Sequence, residues 1–87
     1  MSGLSLKLDS VSSKPLYQQL AVQLKKGIKQ GKFEPHLPLP SIVELSRSLS
    51  ISKATPMRAY THLAKEGLVK WEKGKGFFIH LSMVPSR

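Results

Sequence analysis

At 87 residues the chain has room for one domain with a modest core. It has no cysteine, which excludes disulfides and thiolate metal sites, and no apolar run near the roughly 18 residues that a membrane-spanning helix needs. Fourteen Lys and Arg against five Asp and Glu leave a formal charge of +9, which points to a polyanionic partner, nucleic acid ahead of a membrane surface.

Leu4, Leu6 and Leu8 alternate with Ser5 and Lys7 in a strand-like pattern, so residues 1–13 read as an N-terminal arm or short strand. The same stretch lacks the charged-then-apolar layout of a secretory signal, which makes the cytoplasm the expected compartment. A helix is expected from Lys14-Pro15, because proline's missing N–H costs nothing at a helix start. Leu16, Leu20, Leu24 and Ile28 then fall four apart, with Tyr17 and Ala21 beside them, as on the buried stripe of an amphipathic helix. That stripe carries no Trp or Phe, which argues against a membrane-surface helix. Gly31 ends the pattern. Lys25, Lys26 and Lys29 occupy the last turns, either as a solvated face that suits the helix dipole or as phosphate contacts.

Residues 32–40 hold Pro35, Pro38 and Pro40, so they form an ordered, non-helical connector, with Phe33, Leu37 and Leu39 expected to tuck beneath the helices. Ser41 followed by Glu44 is the pair of a capping box and opens a second helix, whose Ile42, Leu45 and Leu49 share one face. A third helix follows after a turn of about three or four residues. Its cap is Ser52, or else Thr55 with Pro56 at the first helical position, and Gly67 stops it. Ala59, Leu63 and either Met57 or Tyr60 form its buried stripe. Two helices so joined form a helix-turn-helix, a geometry that lets the amino end of the later helix enter a DNA major groove.

Two β-prone runs within residues 68–81 flank Lys73-Gly74-Lys75-Gly76, the tip of a basic hairpin. A hairpin in this place is a wing, with Lys73 and Lys75 reaching phosphate or the minor groove. Trp71, on a strand, is expected in the core, with stacking on a base as the alternative. The fold class is therefore mainly α with a small β-hairpin: a winged helix-turn-helix of three helices plus wing over residues 14–81, with 82–87 as a tail. His36, His62 and His80 fall in three different elements without ligand spacing, so no metal site is expected. No nucleophile, base and orienting group come together, and Gly74-Lys75-Gly76 lacks the form of a phosphate-binding loop, so neither an enzyme nor a cofactor is expected.

These residues resemble the GntR-type winged helix-turn-helix. The resemblance rests on Pro15-Leu16-Tyr17-Gln18-Gln19-Leu20, Gly31-Lys32-Phe33, Leu39-Pro40-Ser41 with Glu44-Leu45, and Ile51-Ser52-Lys53 followed by Thr55. It continues in Glu66-Gly67-Leu68-Val69 and Gly74-Lys75-Gly76-Phe77-Phe78-Ile79, in order, over residues 14–80. Arg58-Ala59-Tyr60 and the earlier Leu6 and Leu8-Asp9 are most similar to the YtrA and MocR-like branches. The family consists of bacterial transcription regulators that bind palindromic operators as dimers. The resemblance therefore implies double-stranded DNA and a homodimeric state.

By matching position the resemblance also implies contacts from Ser41, from Ser52, Lys53 and Thr55, and from Gly74 and Gly76, with Ala54 expected at the same surface between Lys53 and Thr55. Arg58, Lys73 and Lys75 are the basic side chains expected beside them. The chain departs from the family at Val43, where a DNA-contacting arginine is frequent, and at Lys53, where arginine is usual. It departs again at Pro56, in place of a β-branched residue, and at Phe77, in place of threonine. Val43, Pro56 and Phe77 motivate a second expectation, a winged helix used for protein contact. Family members usually continue into an effector or dimerisation part after the wing, so the expectation here is an isolated DNA-binding domain or a minimal member.

Overall fold

The structure, a computed structural model, describes residues 6–80. Its elements run α1 (Leu16–Lys29), α2 (Ile42–Leu49), α3 (Ala54–Lys65), β1 (Val69–Glu72) and β2 (Gly76–Ile79). This is the winged helix-turn-helix read from the sequence. α1 packs across α3, and α2 lies against α3. The core between them is Leu20, Leu24 and Ile28 from α1, Leu45 from α2, and Ala59, Tyr60 and Leu63 from α3. Leu39, Leu68, Val69 and Ile79 close it.

The three helices end in the same way. Each passes into a left-handed residue, Gly31, Ser50 or Gly67, at φ of 73°, 54° and 76°. In each case two N–H groups fold back onto the last turn. Gly31 N–H donates to the Ile28 carbonyl and Lys32 N–H to that of Gly27. Ser50 donates to Arg47 and Ile51 to Ser46, while Gly67 donates to Ala64 and Leu68 to Leu63. This pairing satisfies carbonyls that a helix end would otherwise leave unbonded. Ser50 is the one non-glycine residue with positive φ among those described.

Helix starts differ from one another. Pro15 caps α1 from just outside it. At α2 the expected capping box is formed: Glu44 N–H donates to Ser41 Oγ at 3.0 Å, and Ser41 N–H to Glu44 Oε1 at 2.9 Å. At α3 the expectation is corrected. Neither Ser52 nor Thr55 caps the helix; Lys53 occupies the cap without a side-chain bond, and Pro56 is the third helical residue. A third-position N–H has no partner within its helix, so proline costs no hydrogen bond there. The ring of Pro56 is fully buried instead. Of the two candidates for the stripe, Tyr60 is buried and Met57 is exposed.

Residues 6–9 run extended along α1, without a strand partner among the described residues. Their backbone is bonded by side chains instead. Gln23 accepts from Lys7 N–H at 2.9 Å and donates to the Lys7 carbonyl at 2.5 Å. Gln19, one turn earlier, does the same for Asp9 at 2.7 and 2.9 Å. Two amides four residues apart thus act as a short strand edge, and Leu6 and Leu8 pack partly against the core. Residues 1–5 and the expected tail, 82–87, lie outside the described residues, as does Leu81.

In the connector, Leu39 is buried and Phe33 packs on the core, but Leu37 is 58% exposed. Leu37 N–H closes a turn onto the Glu34 carbonyl at 3.2 Å, which holds it one step short of the body. The chain joins the body at Leu39, whose N–H donates to the Phe77 carbonyl at 2.8 Å. The wing is an antiparallel pair in the register Val69 with Ile79, Trp71 with Phe77, and Glu72 with Gly76. Directly opposed side chains share a face, so Trp71 and Phe77 continue the face of the buried pair Val69 and Ile79. The hairpin outruns the body, however, and Trp71 stands 60% exposed rather than in the core. The turn itself is 73–75, and Gly76 is the first residue of β2.

Candidate nucleic-acid interface

Tyr60 sets the relative positions of the parts that matter. It is wholly buried on α3 and its hydroxyl donates to the Pro40 carbonyl, one residue before the cap of α2. Its ring stacks on Phe77 of β2, with centroids 4.3 Å apart and planes at 15°. One side chain therefore ties α3 to the start of α2 and to the wing. Burial, and then the nearby Glu44 carboxylate, raise the pKa of this phenol well above its usual value, so it stays a donor.

A groove of about 610 Å³ opens between the start of α2 and the wing. Ser41, Val43 and Glu44 form one wall, Trp71, Lys75, Gly76 and Phe77 the other, and Leu37 with Pro38 the end. Two of the expected sets, Ser41 and the wing residues, are thus brought to one site. Lys73 and Gly74 extend it as the exposed tip, where Lys75 N–H closes the turn onto the Glu72 carbonyl at 2.9 Å. Gly74 and Gly76 have φ of 77° and 110°, which is why glycine is needed at both.

At the other end of the turn after α2, Ser52, Lys53 and Ala54 are exposed and Thr55 is half-buried. None of them lines the groove. Arg58 is exposed, but its guanidinium lies 4.2 Å from the centre of the Tyr17 ring, a cation–π contact that holds it towards α1. Tyr17 in turn meets His62 edge-on at 6.4 Å. The Tyr17 platform has no signal in the sequence beyond an aromatic residue near a helix start.

The carboxylates of the described residues are engaged away from Lys53, Lys73 and Lys75. Glu44 is bonded within its capping box, and Glu66 pairs with Lys25 at 3.4 Å and faces His62 at 3.5 Å. Glu72 pairs with Lys70 at 3.0 Å, and Glu34 lies near His36. Among the described residues no carboxylate pairs with Lys53, Lys73 or Lys75.

Three helices, a four-residue turn between the second and third, and a basic two-stranded wing define a winged helix-turn-helix domain. Residues 16–79 match the family of bacterial regulatory proteins called the gntR family, and the chain belongs to that family, one of regulators rather than enzymes. Over 74 residues it is 38% identical to the HTH-type transcriptional repressor NagR of Bacillus subtilis and 32% identical to the repressor YtrA of the same organism. Each match covers 85% of this chain but 30% and 57% of those proteins, so the chain spans less than two thirds of either. Among solved structures, the GntR-family transcription factor YtrA from Sulfolobus acidocaldarius superposes with a TM-score of 0.79 at 33% identity, covering 86% of this chain and 79% of that one. The DNA-binding domain of AraR, in complex with operator ORX1, superposes at 0.76 with 28% identity, covering 87% and 95%.

Proposed function

We propose that the chain is a cytoplasmic transcription regulator whose domain, residues 14–81, binds duplex DNA. The amino end of α3 enters the major groove and the wing lies on the neighbouring backbone. Lys53, Ala54, Thr55 and Arg58 face base edges or adjacent phosphates, with Ser52 beside them at the turn. The Ser41 hydroxyl accepts its capping bond and keeps its own proton to donate to phosphate. Lys73 and Lys75 hold the wing to the backbone, and Gly74 and Gly76 let its tip approach closely. Two copies on a palindromic operator would place two such surfaces one helical turn apart.

The observation that carries this reading is the groove joining Ser41 to the wing, flanked by Lys73 and Lys75, with which no carboxylate pairs among the described residues. That the AraR domain is seen with its operator supports it. Two of the three residues that suggested protein contact have structural roles: Pro56 fills the core, and Phe77 stacks on Tyr60. Binding to a duplex should weaken with salt. If each subunit neutralises about four phosphates, the logarithm of affinity falls against that of salt with a slope near −3 to −4 per subunit. A titration with no slope refutes the proposal.

A further inference from the structure

The groove beside the wing is apolar where a surface built only for phosphate would be polar. Trp71 is 60% exposed, Leu37 58% and Val43 42%, and all three line it. Large apolar groups gathered in one exposed place are the informative exception on a protein surface. Trp71 is also held in place. Its ring leans on Phe77, with centroids 4.9 Å apart and planes at 59°, and Phe77 stacks on the buried Tyr60. Three rings therefore run from the core to the surface, and the outermost is presented with little freedom left to lose on binding.

The charges around the groove select the occupant. Lys75 lies on the wing wall with Lys73 beyond it at the tip, and neither has a carboxylate partner among the described residues. The one carboxylate in the groove, Glu44, is on the opposite wall and is bonded to Ser41 N–H. Apolar groups on both walls with cations on one rim match a DNA strand. The phosphates of such a strand lie on one side of its sugars, and its thymines present C5-methyl groups in the major groove. Resting on the DNA-binding reading above, we infer that Val43 contacts thymine methyl groups and that Trp71 packs on deoxyribose of the adjoining strand. The groove then prefers A·T pairs by apolar contact rather than by a hydrogen-bonding fork.

The chain's single tryptophan makes Trp71 its own reporter. The test uses the full chain with three alternating duplexes: dA-dT, the same with uracil for thymine, and dG-dC. Affinity and acrylamide quenching of Trp71 are measured together. The thymine duplex should bind best, with about a fourfold loss for each contacted methyl removed. Trp71 should become shielded in the complex. Val43→Ala should lose the thymine-over-uracil preference, and Trp71→Ala should weaken all binding about fivefold to tenfold, with Trp71→Phe between.

Equal affinity for thymine and uracil duplexes, or a Trp71 still open to acrylamide in the complex, overturns the inference. If binding with a normal salt slope persists in that case, the DNA-binding proposal stands. Failure to bind any duplex at low salt overturns both. Shielding of Trp71 that grows with protein concentration in the absence of DNA overturns the inference as well, because a second copy then fills the groove.

Discussion

Replacing Tyr60 by phenylalanine removes one oxygen from the point where α3, the start of α2 and the wing meet. The ring and its stack on Phe77 remain, so no cavity larger than a hydroxyl forms. What is lost is the bond to the Pro40 carbonyl, which is left without that donor in a partly buried contact. A lost hydrogen bond of this kind costs about 1–2 kcal/mol. A domain of this length has a total stability of about 4–13 kcal/mol, so the loss should lower the melting temperature by about 5–15 °C.

The alkaline range gives a second, sharper readout. Burial first, and Glu44 second, raise the folded pKa of Tyr60 above its unfolded value of about 10. Above that pH the unfolded chain releases the proton while the folded chain keeps it. The unfolded state then binds fewer protons, and stability falls as pH rises, by up to about 1.4 kcal/mol per unit. Phenylalanine has no proton to lose. The advantage of the wild-type chain at pH 8 should therefore shrink by about 1.4 kcal/mol at pH 11. Urea unfolding of both chains, followed by circular dichroism at the two pH values, measures this. Equal stability at pH 8, or a difference between the chains that does not change with pH, would show that the Tyr60 hydroxyl has no such role.

Ser50→Gly should stabilise the domain by about 0.5–1 kcal/mol, since serine strains in the left-handed region and glycine does not; thermal unfolding checks the sign. Ser41→Ala should destabilise by about 0.5–2 kcal/mol through loss of the capping box, with the change seen in the same assay. Lys53→Ala and Lys75→Ala should each leave stability within about 0.5 kcal/mol of wild type. Each should also make the salt slope of DNA binding shallower by about 0.9.

Much of the fold was legible because its signals are local. Leu20, Leu24 and Ile28 recur at the helix period and are buried, and Ser41 and Glu44 sit at capping-box spacing and form both bonds. Where reasoning from sequence failed, the deciding fact was not local. Proline is tolerated at the first or the third helical position, so Pro56 could not say which N–H it replaced. Trp71 was expected in the core simply as a strand tryptophan; it does share the face of Val69, yet where the body ends beneath that face depends on how far the hairpin projects. Leu37 failed for a similar reason, since its turn onto Glu34 holds it outside the core. Of the candidate site, the type and order of the basic residues were legible. The Tyr17 platform beneath Arg58 was not, because it depends on how α1 crosses α3.

DNA binding as proposed requires the start of α2, the amino end of α3 and the wing to face the duplex together. Amide chemical shifts of the labelled chain, followed by NMR as duplex DNA is added, test it most directly. Changes are expected at Ser41 to Glu44, at Lys53 to Arg58 and at Lys73 to Gly76, with Val22 and Lys25 of α1 unmoved. Changes confined to Val22 and Lys25, with Ser41, Lys53 and Lys75 unmoved, would contradict it.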